Sequence, residues 1–139
     1  MKTKILLFAL FMLSLQGISQ VVIKCNHVKK FIPDGTTTKI VYENSIILTI
    51  TINEEKSLLT EKTFQGDEKY FIDKTKTKIS KNTKNSLFND YSFWTIDVNG
   101  DDCMYFICPS ENRISKALIK NDFTATFTDY TIEKTYGDF

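Results

Sequence analysis

The sequence predicts an all-β domain: an antiparallel meander of about seven to nine strands, closed as a small barrel or flattened barrel, with a two-layer β-sandwich as the alternative. Three observations predict it. Ile46, Leu48, Ile50 and Ile52 alternate with Thr49 and Thr51, the period of a strand with one face in a core. Short β-branched and aromatic runs recur every eight to twelve residues between polar turns. Asn99-Gly100, the dipeptide best suited to a type I′ turn, sits between the apolar runs 91–96 and 103–108 and marks a hairpin.

Taken in order, the chain opens with a leader. Lys2 and Lys4 precede an apolar run, 5–15, too short to span a bilayer, and Gly17 and Ser19 are small residues at −3 and −1 of a cut after Ser19. The expected domains are therefore a signal peptide, 1–19, and one β domain, 20–139, secreted or periplasmic and without a transmembrane segment. Lys24 before Cys25 does not fit a lipid-attachment box. Loss of Lys2 and Lys4 takes the 18 basic side chains to 16 against 17 acids, a balance that argues against a nucleic-acid partner.

Val21-Val22-Ile23 reads as a first edge strand, and Pro33-Asp34-Gly35 as a turn. Strands are expected over 39–42 and 46–52, with Glu43-Asn44-Ser45 as a tight connection or bulge, then over 57–64 with Leu58 and Phe64 on one face, and over 69–73. From Lys74 to Asn89 the pattern lapses into lysines among Thr, Ser and Asn, a solvated loop or weak strand with room for a short helix over 82–88. After the hairpin, 113–119 carries Ile114 and Leu118 on one face, and 123–130 alternates Phe123, Ala125 and Phe127 against threonines. A bulge near Asp129 would shift the apolar phase to Tyr130 and Ile132, and 133–139 is expected to fray.

Candidate functional residues are few. Taking Asn99 and Gly100 as the two turn residues pairs Ile96 with Cys103, Trp94 with Tyr105 and Phe93 with Phe106. The aromatic cluster Tyr91, Phe93, Trp94, Tyr105 and Phe106 would then form core, a cavity wall or a contact surface for a partner. Three cysteines leave one unpaired. Cys103 and Cys108 cannot bridge on one strand, so Cys25 pairs with Cys103 or Cys108, Cys108 being preferred, unless all three are buried thiols. His27, the sole histidine, would share a strand face with Cys25, a thin basis for a thiol enzyme or a metal site. The acids of 97–102 resemble a calcium loop only in part, since no closing glutamate follows and the hairpin accounts for Asn99 and Gly100. No metal or cofactor is expected.

The pattern Trp94-x-x-Asp97-x-x-Gly100-x-x-Cys103, followed by an apolar strand and two more short strands, resembles small exported bacterial β-rich proteins of unknown function. The resemblance implies a secreted or periplasmic β domain and brings no site residues. The expected function is a non-enzymatic exported binding module, its small apolar ligand or its envelope or extracellular protein partner met through the aromatic hairpin. The alternatives are an envelope structural protein and a small secreted hydrolase or thiol enzyme using His27.

Overall fold

The computed structural model describes residues 20–79, 91–122 and 124–137; residues 1–19 and 80–90, Phe123 and the last two residues lie outside it, as does the helix considered over 82–88. Among the described residues nine strands follow one another: β1 (Gln20–Asp34), β2 (Thr37–Asn53), β3 (Leu58–Thr63), β4 (Gly66–Ile72), β5 (Lys78–Ile79), β6 (Tyr91–Asp97), β7 (Asp102–Cys108), β8 (Arg113–Ile119) and β9 (Ala125–Tyr136). Their order in the sheet is β4-β3-β2-β1-β9-β8-β7-β6-β5, and β4 also pairs with β6, which closes eight of them into an antiparallel barrel with β5 on the margin. No described strand pairing is parallel. Closure pairs the two strands that would otherwise be sheet edges.

The first segment is no edge strand. β1 is 15 residues long and lies between β2 and β9, and the tail expected to fray pairs with it through Lys134, Thr135 and Tyr136. Those ladder bonds hold residues that little apolar burial would hold. The expected strands 39–42 and 46–52 are one strand, and Glu43-Asn44-Ser45, expected to be a connection or bulge, pair regularly with β1; the irregularities lie on either side of them. β2 carries an extra residue opposite β1 twice, where Cys25 and His27 face Leu48 and Ser45, and where Lys30 and Phe31 face Tyr42 and Ile40.

The two ends of the barrel interior differ in chemistry. One end is filled by Val21, Ile23, Ile50, Ile52, Leu59, Phe93, Ile107 and Ile114, all buried, and each such side chain contributes about 1.5–3 kcal/mol by leaving water. The other end takes polar side chains inward, and there the apolar phase misleads. On β9 the inward set is Thr126, Thr128, Tyr130 and Ile132 in unbroken alternation, while Phe127 faces out, so no bulge occurs at Asp129. On β3, Leu59 and Glu61 point inward; Leu58 is only half-buried and Phe64 stands 91% exposed.

The central hairpin forms with a register one residue from that expected. Trp94 pairs with Met104, Phe93 with Tyr105 and Ser92 with Phe106. The loop is longer than two residues because Asp97 organises it: its Oδ1 accepts the N–H groups of Asn99 and Asp101, both at 2.9 Å, and its carbonyl accepts the Gly100 N–H at 3.1 Å. Within this loop only Gly100 takes a positive φ, +84°. Asp97→Ala should cost about 1 kcal/mol, the usual net contribution of such hydrogen bonds, read as a lower denaturant midpoint at unchanged slope.

Candidate functional site

Strand lengths create the site. β2 has 17 residues and β3 only 6; β3 pairs with residues 49–53 of β2 and leaves residues 37–48 bonded to β1 alone. The barrel wall is therefore open between the first part of β2 and the β3–β4 hairpin, with Ile47 85% exposed beside the gap. Behind the gap is a cavity of about 670 Å³. Its apolar wall comes from Val28, Ile46, Leu48 and Leu118, and Tyr42, Tyr70 and Tyr130 add aromatic surface.

Glu61 and Lys116 line this cavity, their side chains only 7% and 10% exposed, and they meet at its floor. Lys116 Nζ donates to Glu61 Oε1 at 3.0 Å and to the Tyr70 hydroxyl at 2.8 Å. The Tyr105 hydroxyl donates to Glu61 Oε1 at 2.7 Å, and the Tyr130 hydroxyl lies 3.3 Å from Oε1 and 3.4 Å from Oε2. Tyr70 in turn donates to Glu68 Oε2 at 2.8 Å, linking floor to rim. The registers explain the convergence. Phe93, Tyr105, Lys116, Thr128, Lys30 and Tyr42 form one continuous row across six strands, so all project to the same side of the sheet.

The electrostatics keep the Lys116 ammonium and the phenols around it protonated. Burial pulls the Lys116 ammonium down, but the Glu61 carboxylate and the surrounding phenols outweigh it and leave Lys116 above its ordinary value. Burial, reinforced by the Glu61 charge, pushes the phenols of Tyr70, Tyr105 and Tyr130 up. The same two causes raise the Cys25 thiol to about 12. Burial also raises Cys103, to about 11, with Lys116 pulling the other way.

The aromatic residues expected to act together are divided between two faces. Tyr91, Phe93 and Tyr105 are buried in the barrel, and Tyr105 reaches the floor network through its hydroxyl. Phe93 borders a smaller hollow of about 350 Å³ lined also by Glu54, Ile72, Lys74 and Thr77. Trp94 and Phe106 face outward; the Trp94 indole donates to Asp102 at 3.1 Å and lies under Lys76 Nζ, 4.9 Å from the ring centroid. The one-residue register change separates Trp94 from Tyr105.

The expected Cys25–Cys108 bridge is not formed, nor is Cys25–Cys103; all three cysteines are buried thiols. Two strands, β9 and β8, lie between β1 and β7, so Cys25 and Cys108 are about 14 Å apart along the sheet at ~4.8 Å per strand, twice what a disulfide spans. Cys25 and His27 do not share a face. The bulge between them leaves Cys25 buried within and His27 outside, 3.4 Å from Glu43. In the acidic loop, Asp97 and Asp102 are engaged by backbone and indole donors, and no cluster able to hold a metal occurs among the described residues.

Sequence reasoning missed Glu61. Its neighbours Leu58 and Phe64 suggested the opposite face of β3, and no local signal marked a buried acid. Lys116 was not singled out either, although it shares a strand face with Ile114 and Leu118 and that alternation could have found it. No protein-family model matches this chain, and no curated protein does.

Lys116→Met should destabilise the fold by about 3–5 kcal/mol by stranding the buried Glu61 charge, and adding Glu61→Gln should recover much of that loss; urea titration of the three proteins measures both. Above pH 9 the unfolded thiols lose protons that Cys25 and Cys103 keep in the fold, so the unfolded state gains. Stability should decline as pH rises from about 9 toward 11, and at pH 8 neither thiol should react with a disulfide reagent until the chain is denatured.

Proposed function

We propose that the chain is an exported binding protein without catalytic activity, holding a small molecule in the open half of its barrel. One feature carries the reading: a cavity of about 670 Å³, within the range of small-molecule sites, with a buried ion pair at its floor and an opening in its wall. A barrel needing only stability would do as well or better with apolar residues there. Export rests on Lys2 and Lys4, the apolar run 5–15 and the small residues Gly17 and Ser19, which suit a secreted or periplasmic protein. The aromatic hairpin expected to meet the ligand contributes through Tyr105, which bonds the floor carboxylate.

Turnover has less behind it. The phenols and the ammonium are held protonated, the Cys25 thiol is raised to about 12, and His27 lies on the outer surface, 3.4 Å from Glu43. A second reading, an envelope interaction protein, is favoured by a specific observation. Ile40, Phe31, Phe127, Ala117, Met104 and Trp94 form one outward row across six strands, with Ile40 and Phe127 exposed.

Native mass spectrometry of the protein from its exporting host separates the two. The expected spectrum has a chain beginning at Gln20 with a small co-purifying mass lost on denaturation, and no such mass on a Thr126→Trp variant that fills the cavity. A chain free of small ligand but bound to another protein would favour the outer face instead.

A further inference from the structure

The floor of the cavity is neutral yet not saturated. Lys116 has three N–H donors, of which Glu61 and Tyr70 take two. On the carboxylate, Oε1 receives Lys116 and Tyr105 at 3.0 and 2.7 Å, whereas among the described residues Oε2 meets only the Tyr130 hydroxyl, at 3.4 Å, which it shares with Oε1. A donor and an acceptor with spare capacity therefore stand side by side on the cavity wall. Their charges cancel, and the other charged lining residues cancel as well, Lys30 and Lys120 against Asp67 and Glu68. An anion brought to Lys116 would lie against the Glu61 carboxylate, and a cation brought to Glu61 would lie against Lys116. The rest of the lining mixes apolar and aromatic side chains, Val28, Ile46, Leu48, Leu118, Tyr42 and Tyr130, with the hydroxyls of Thr63, Thr126 and Thr128.

We propose that the cavity takes a neutral molecule presenting a hydrogen-bond acceptor beside a donor on an apolar body, as a carboxamide or lactam does. The carbonyl oxygen accepts from Lys116, the N–H donates to Glu61 Oε2, and the body packs on the apolar wall. The proposal rests on the cavity being a ligand site, and the test separates the two ideas.

Three probes of one shape, 2-naphthamide, 2-acetonaphthone and 2-naphthoate, are titrated calorimetrically into the mature protein. The amide should bind tightest. The ketone, lacking the N–H, should bind about tenfold more weakly, the effect of one hydrogen bond, and the carboxylate more weakly still. In Glu61→Gln, Lys116 loses its counter-charge, and naphthoate should gain at least about tenfold relative to naphthamide. Thr126→Trp should abolish binding of all three. Naphthoate binding as tightly as the amide, or all three within about threefold of one another, would overturn the ligand class while leaving the cavity reading in place, provided Thr126→Trp still blocks them. Binding of no probe, or binding indifferent to Thr126→Trp, would overturn both. Should Glu61→Gln fail to fold, the order of the probes on the natural chain decides by itself.

Discussion

The ion pair between Glu61 and Lys116 is the constraint around which the open half of the barrel is arranged. A carboxylate and an ammonium inside a small β-barrel lose most of their hydration, a cost of several kcal/mol each that their mutual attraction offsets only with further hydrogen bonds. Tyr70, Tyr105 and Tyr130 supply those bonds from three different strands. Each phenol sits there because its strand's alternation points it inward, and each is held protonated by burial, reinforced by the Glu61 charge. The network specifies the registers as much as it depends on them. A one-residue slip of β8 would turn Lys116 to solvent and leave Glu61 buried without its counter-charge.

The mouth follows from unequal strand lengths. β2 outruns β3 by 11 residues, so the barrel cannot be sealed along that seam, and the two bulges in β2 bend the unpaired portion. Bulged, twisted strand edges also resist pairing with other chains, which matters for a segment that leaves Ile40, Val41 and Ile47 exposed. Closure between β4 and β6 is held by only three residue pairs, Tyr70 to Ile72 against Asp97 to Thr95. The shortest contact in the wall is thus adjacent to the polar floor, at Tyr70, where the hydrogen bonds of Lys116 and Glu68 meet.

Sequence and tertiary structure divide the remaining decisions in a way that particular residues make plain. Period-2 alternation in β2 and β8, turn chemistry at Gly35 and Gly100, and the regular spacing of strands were legible because each depends on neighbours within ten residues. The register of the hairpin was not, because an Asp97 side chain that accepts two N–H groups, with its carbonyl accepting a third, lengthened the turn by one residue, and that sufficed to send Trp94 outward and keep Tyr105 within. Alternation also failed where the interior is polar. Phe127 and Phe64 look like core residues in the sequence and lie outside, while Thr128 and Glu61 lie inside.

By itself the sequence determined an antiparallel all-β meander and its strand rhythm, because those are set by local backbone preference and hydrophobic period. Which strands meet to close the expected barrel, β4 with β6, the central place of β1, the failure of Cys25 to reach Cys108, and the meeting of Glu61 with Lys116 were decided by the tertiary structure alone. Residues 55 positions apart in the chain meet only when strands far apart in sequence wrap around a common interior, and no local pattern encodes which inward positions will face each other across it.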